Sequence, residues 1–348
     1  MALLALFRSS TRASTKLRTS AKPSATSFLQ PMSQRRSVSL RSYIVTPKEF
    51  TDALTKNVRT KISTSPRIIP LCAAWFLPNE PDGRTGQQVF HECRIPSARF
   101  FDIDQVKDHD SKYPHMLPTA EGFSEAMQKL GIRKDDTVVV YDTKELGIFS
   151  APRVGWTFRV FGHPNVHVLN NFRLWVEQGY PTETGDIEAV VEQESHYPVP
   201  TVDPAMVVKF AEMKEIANDY GKEGAEGIQV LDARSLGRWK GTEPEPRPGL
   251  PSGHIPGSIS VPVTELLCPK AKTLLPGAEL AKLFESKGID PEKPIISSCG
   301  TGVTAAVIDA ALNEANWGRP DDRRLYDGSW TEWAQRATEA DGLIKKTA

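Results

Sequence analysis

Short runs of buried-type residues alternate with helical patterns along this chain. Ile68-Ile69-Pro70-Leu71-Cys72, Val138-Val139-Val140-Tyr141, Gln229-Val230-Leu231-Asp232 and Ile295-Ile296-Ser297-Ser298 have the length and character of strands covered on both faces. Between them, Phe123 to Leu130 and Glu279 to Lys287 place apolar residues at helical spacing, and each is followed by a glycine, Gly131 and Gly288, a usual helix stop. Strands alternating with helices predict an α/β fold of mainly parallel sheets flanked by helices.

The pattern occurs twice. Leu71 and Arg94 lie 23 positions apart, as do Leu231 and His254. Arg94-Ile95-Pro96-Ser97-Ala98 parallels His254-Ile255-Pro256-Gly257-Ser258, Val138 to Asp142 parallels Ile295 to Cys299, and Leu169 to Trp175 parallels Asp327 to Trp333. Shared landmarks in one order predict a duplicated domain. A length of 348 residues agrees, since a single core rarely grows beyond about 250–300 residues. The expected organisation is a leader over 1–42, a first domain over 43–180, a polar proline-containing linker over 181–204 and a second domain over 205–340.

Charge changes the picture at the N-terminus. Lys+Arg and Asp+Glu balance at 43 each, yet the first 42 residues hold eight basic residues and no acid, and are rich in Ser and Thr. That is the composition of a mitochondrial transit peptide, cleaved near Arg41 to Tyr43. Without it 35 basic residues face 43 acidic ones, a formal charge of −8, and no basic patch suggests nucleic acid. No apolar run of about 18 residues suggests a membrane span. Four cysteines, Cys72, Cys93, Cys268 and Cys299, form no C-x-x-C pair. This disfavours zinc and dithiol chemistry, and a reducing matrix keeps them as thiols.

One cysteine carries candidate chemistry. Cys299 ends a strand, where parallel α/β sheets bind ligands. Gly300 and Gly302 allow successive amides to turn inward as an anion nest, and Val303 to Ala315 reads as a helix whose N-terminus points at the loop. Nest and dipole favour a negative sulfur, thiolate or persulfide. Thr301 can hydrogen-bond that sulfur or relay a proton, and Thr304 can do the same or cap the helix. Alone, such a cysteine is a small buried hydrophobe; the glycine loop argues otherwise. A cysteine phosphatase loop would need an arginine to clamp phosphate, and Gly300 to Ala306 contains none. Asp232 and Arg234 read as a structural pair, His254 as a packing and hydrogen-bonding residue, and Trp330 and Trp333 as core.

Several motifs together give a resemblance. Phe100-Phe101-Asp102-Ile103-Asp104, Ser150-Ala151-Pro152-Arg153, Gly241-Thr242-Glu243-Pro244-Glu245-Pro246-Arg247, Gly253-His254-Ile255-Pro256-Gly257, Cys299-Gly300-Thr301-Gly302-Val303-Thr304 and Tyr326-Asp327-Gly328-Ser329-Trp330 make the chain, from about Ile68 to Trp333, similar to the two-domain rhodanese-like sulfurtransferases. The resemblance implies two tandem rhodanese-like domains with the active site in the cleft between them. The first is an inactive duplicate, in keeping with Asp142 in the place of Cys299. Thiosulfate enzymes of the family typically follow the cysteine with Arg-Lys, and mercaptopyruvate enzymes with Gly-Ser. The uncharged Gly300-Thr301 pair therefore resembles the 3-mercaptopyruvate branch.

By that resemblance Cys299 and Thr301 are catalytic. Arg238, Arg247, Gly300, Gly302, Val303 and Thr304 bind substrate, since a keto carboxylate suits guanidinium forks. Surface ion pairs with Glu243 or Glu245 are the plainer reading of the two arginines. Sulfur would pass from 3-mercaptopyruvate through a Cys299 persulfide to thioredoxin, a small thiol or cyanide. No metal or organic cofactor, no nucleic acid and no membrane would be involved. The mitochondrial matrix is the expected location, with the cytoplasm second. Thiosulfate sulfurtransferase activity, a persulfide relay to a protein partner in tRNA thiolation and a module with a dead site are the alternatives. Animal members carry an Asp and a His in the first domain to assist the cysteine. The positions matched here are Cys72 and Arg94, which predicts no such relay from them; Arg94 would meet an anionic donor instead. The family's Asp-Gly-Gly in the first domain is replaced by Leu169-Asn170-Asn171, which predicts a loosened loop.

Overall fold

The computed structural model describes residues 40–57, 66–186 and 195–347. Nearly all of the acid-free leader, 1–39, lies outside them. The described residues form two five-stranded sheets, parallel throughout. The first contains β1 (Ile44–Val45), β2 (Ile68–Cys72), β3 (Arg99–Phe100), β4 (Thr137–Tyr141) and β5 (Val166–Leu169), in the order β1-β5-β4-β2-β3. The second contains β6 (Val207–Val208), β7 (Gln229–Asp232), β8 (Ile259–Ser260), β9 (Ile295–Ser298) and β10 (Arg323–Tyr326), in the order β6-β10-β9-β7-β8. The second order is the first with five added to each number. The register repeats as well: Cys72 pairs with Tyr141 and Asp232 with Ser298. Asp142 therefore follows its strand where Cys299 follows its own.

Local chemistry explains the element boundaries. α1 (Pro47–Lys56) and α2 (Gly86–Glu92) begin with capping boxes, Thr46 with Glu49 and Thr85 with Gln88. α3 (Ala120–Lys129) and α8 (Gly277–Ser286) are the two amphipathic helices the pattern predicts. The glycines beyond them, Gly131 and Gly288, adopt φ of 63° and 70°, the left-handed geometry that terminates helices. The helix expected from Val303 starts two residues later, as α9 (Ala305–Glu314), because residues 301–304 form the turn around Gly302.

α4 (Ala151–Val160) and α9 have no polar face to speak of. Each is buried almost all round, and the two pack against one another across the halves. Val154 and Phe158 share one continuous core with Val307 and Ile308. Arg159 seals this contact through Asp309, Nη1 to Oδ2, at 2.7 Å. Segment 195–203 also packs back onto the first half. Tyr197 is buried there, accepting from the Ser124 hydroxyl at 2.6 Å and stacking on His163.

The 169–171 segment does not match the loosened loop that was predicted. Asn171 is buried at φ 90° and caps α5 (Phe172–Glu177). Its amide donates to the Ala271 carbonyl, and the Asn170 Oδ1 accepts from Leu274 N at 3.0 Å. The two asparagines pin this loop to the second half.

Candidate active site

The peptide of Cys299 is gripped from below by α10 (Ser329–Arg336). Ser329 Oγ accepts from Cys299 N at 3.2 Å and donates to Tyr326 O at 2.8 Å. Trp330 N and Thr331 N donate to the carbonyls of Cys299 and Gly300, both at 2.9 Å. The cysteine is thus fixed by its own repeat's Asp-Gly-Ser-Trp segment. Among the described residues, the amides of Gly300 through Thr304 have no hydrogen-bond acceptor on the protein. Donors left open at a helix start are suited to an anion.

Only one glycine of the predicted nest is conformationally required. Gly302 has φ 75°, and a Cβ there would lie 2.5 Å from Arg153 Nη1 and 2.9 Å from Asp327 O. Gly300 has ordinary φ, and its nearest neighbour would be Arg238 Nη2 at 3.3 Å.

A cavity of about 170 Å³ opens over the loop. Cys299, Gly300, Thr301, Val303 and Thr304 line it, and so do Arg238 and Arg247. Gly302 does not: its carbonyl faces Arg153 Nη1 at 3.5 Å instead. Thr304 sits at the N-cap of α9 without a side-chain capping bond. The two arginines differ. Arg238 is held by Glu245 Oε2, its Nε at 3.1 Å, while Arg234 takes the other oxygen of the same carboxylate at 2.8 Å. Arg247 is half-buried and has neither hydrogen bond nor ion pair among the described residues. Arg234 also pairs with Asp232 at 2.6 Å, and His254 stacks on Trp239 at 3.9 Å with Nδ1 on the Trp239 carbonyl.

Thr301 leads into the first half. Its Oγ1 lies 2.9 Å from His115 Nδ1, and His115 Nε2 lies 3.0 Å from Asp104 Oδ1. The other Asp104 oxygen accepts from Trp75 Nε1 at 2.9 Å, and the Trp75 ring meets the imidazole edge-on at 4.8 Å. An ionised carboxylate only accepts, so Nε2 carries the proton and Nδ1 accepts from the threonine hydroxyl. Burial pushes the His115 pKa down, against the upward pull of Asp104, and the His115 contact holds Asp104 low. The imidazole is neutral near pH 7.

The Asp–His pair that meets the cysteine loop is therefore Asp104 and His115, and not the residues at positions 72 and 94. Cys72 is interior to the first sheet, its thiol pushed up to about 12 by burial. Arg94 is buried, donating to Gly185 O at 2.5 Å, and faces no cavity described here. The error has a physical cause. The repeat register follows strands, whereas both partners sit on the irregular segment between β3 and α3. Asp104 closes one of the quoted motifs and His115 stands eleven residues on, which was the only available signal.

Arg153, at the end of the Ser150-Ala151-Pro152-Arg153 motif, joins the two halves at this point. It is buried, and one nitrogen, Nη2, donates to both His115 O and Asp327 Oδ1 at 2.6 Å. Asp327 Oδ2 accepts from Leu117 N at 2.9 Å. One guanidinium thus ties the histidine segment to the cysteine loop.

Comparison with known proteins agrees with the fold. The family model described as "Rhodanese-like domain" matches residues 213–336. The thiosulfate sulfurtransferase TUM1 of Saccharomyces cerevisiae is 43% identical over 281 residues, covering 78% of this chain and 90% of its own length. The 3-mercaptopyruvate sulfurtransferase of Homo sapiens is 41% identical over 273 residues, covering 78% and 86%. Among solved structures, the sulfur transferase subunit found sub-stoichiometrically in yeast mitochondrial complex I superposes with a TM-score of 0.76 at 39% identity, over 88% of this chain and all of that one.

Proposed function

Because the chain belongs to the rhodanese-domain 3-mercaptopyruvate/thiosulfate sulfurtransferase family, we propose that it moves sulfur from 3-mercaptopyruvate, through a persulfide on Cys299, to a thiol acceptor. The observation that carries this is the uncharged Gly300-Thr301 pair in the cavity, with Thr301 bonded to the neutral His115. Cys299 Sγ, as thiolate, attacks the donor sulfur. An S–S bond forms, the C–S bond breaks, and its electron pair leaves on carbon as the enolate of pyruvate, which takes up a proton. The open amides of Gly300 to Thr304 stabilise the anionic sulfur. Thr301, His115 and Asp104 form the path along which the thiol proton is held and returned to the product. Arg247, without a hydrogen-bond or ion-pair partner among the described residues, holds the donor carboxylate and Arg238 assists it.

The carrier is the cysteine itself, so the reaction calls for no metal or organic cofactor. The acceptor is thioredoxin or another thiol, or a relay protein that takes the persulfide directly. The acid-free leader supports a mitochondrial matrix location, as does the relative found in mitochondrial complex I.

Thiosulfate is the second reading. TUM1 carries that name, and three arginines, Arg234, Arg238 and Arg247, line the cavity. Intact mass of the full chain, before and after each donor, separates the two. A gain of about 32 Da, one sulfur atom, from 3-mercaptopyruvate with pyruvate released and no gain in Cys299→Ser is the expected result. A gain from thiosulfate alone overturns the donor assignment, and no gain from either leaves a protein-fed relay or a dead site.

A further inference from the structure

A second cavity, about 520 Å³, adjoins the one that holds Cys299, and Arg247 lines both. Its wall includes Lys107, Lys112 and Tyr113 from the segment that carries Asp104 and His115, and Thr331 and Gln335 from α10. No aspartate or glutamate lines it. Neither lysine is within ion-pair distance of a carboxylate among the described residues; Lys112 lies over the Tyr113 ring, 5.1 Å from its centre. Three cations thus line one cavity with no ion-pair partner among the described residues, in a chain whose residues 43–348 carry a formal charge of −8. Such a concentration of one sign repels itself unless an anion occupies it, and it raises the local concentration of anionic ligands.

The cavity over Cys299 already contains what a small keto acid needs. The second is about three times larger and shares Arg247 with the first as a common wall. We propose that it is an acceptor subsite for small thiols bearing two or more carboxylates. The carboxylates lie on Lys107 and Lys112, and the thiol extends past Arg247 to the outer sulfur of the Cys299 persulfide. This rests on the persulfide reading above. The acceptor thiolate attacks the outer sulfur, a new S–S bond forms, and the persulfide bond breaks with its electron pair returning to Cys299. No external oxidant or reductant is required.

The test uses the full chain and the double variant Lys107→Ala/Lys112→Ala, with Lys107→Arg/Lys112→Arg as rescue. Transfer from preloaded persulfide is timed with mercaptosuccinate, a dicarboxylate thiol, and with neutral 2-mercaptoethanol. In parallel, S-methyl mercaptosuccinate, which cannot accept sulfur, is titrated calorimetrically onto unloaded protein. The double variant is expected to lose about tenfold in both kcat/KM for mercaptosuccinate and affinity for its S-methyl analogue at low salt. The 2-mercaptoethanol rate and persulfide loading should not move, and the arginine variant should recover. The wild-type preference should also collapse at high salt. Equal binding of the analogue to wild type and double variant overturns the subsite, as does an equal change for both thiols. Absence of persulfide loading with lysine-dependent binding intact overturns the transfer chemistry and leaves the subsite standing.

Discussion

The ends of β4 and β9 are the same place in two copies of one fold, and they solve the same problem in opposite ways. Each strand stops below a helix start whose amides need an acceptor. After β4 the chain supplies its own. The Asp142 carboxylate accepts from the amides of Phe149, Ser150 and Ala151 at 2.8, 3.1 and 2.7 Å, and from the Ser150 hydroxyl at 2.5 Å. Burial nevertheless raises its pKa to about 6. After β9 the chain supplies a sulfur, and the amides of Gly300 to Thr304 have no acceptor among the described residues. A filled anion site stabilises a helix, whereas an open one is available to substrate. The first half thus fills its own anion site, and it lends His115, Asp104 and Arg153 to the other half's loop.

The largest expected effect tests that loan. Arg153→Met strands the buried Asp327 carboxylate and should lower stability by about 3–5 kcal/mol in denaturant unfolding. Asp327→Asn combined with Arg153→Met should lose less than the sum of the singles; strict additivity would mean the two groups do not act as one clamp. Next, Thr301→Ala should slow persulfide formation roughly 100-fold with little change in Tm, while Thr301→Ser keeps most of the rate. The wild-type rate should fall as pH drops through the lowered His115 pKa, because the imidazolium can no longer accept from Thr301. A rate that is flat on the acid side would remove the histidine from the mechanism.

The two loop glycines sharpen the comparison further. Gly302→Ala meets both a positive φ and Arg153, and should cost about 1–3 kcal/mol. Gly300→Ala should stay within about 1 kcal/mol of wild type, and similar losses for both would mean that the turn is not what constrains position 302. A pH-dependent effect concerns the filled site. Folding favours the protonated form of Asp142, so its contribution is greatest below the unfolded carboxylate range and is lost as pH rises through about 6. The Tm of wild type relative to Asp142→Asn should therefore fall between about pH 4 and 6, and a constant difference across that window would show that the carboxyl does not titrate there.

Periodicity was enough for the duplicated α/β fold, since buried strands and amphipathic helices announce themselves through side-chain spacing alone. It also located Cys299, because a strand end followed by glycines and a helix is a local signal. The glycine nest was only half legible: Gly302 answers to a contact with Arg153 from the other half. Asp104 and His115 were hidden for the same kind of reason. They sit on the irregular segment between β3 and α3, outside the landmarks of the repeat, and their partner Thr301 is distant in sequence. Asn170 and Asn171 read as a weakened motif, yet each finds an acceptor or donor across the halves.

What this sequence determined by itself is therefore what depends on neighbours along the chain: strands, helices and their caps, the repeat and the reactive loop. What the tertiary structure decided is which side chains meet that loop, because the packing of α4 on α9 brings the two repeats face to face. That packing is set by shape and burial summed over many residues, and no single stretch of the chain records it.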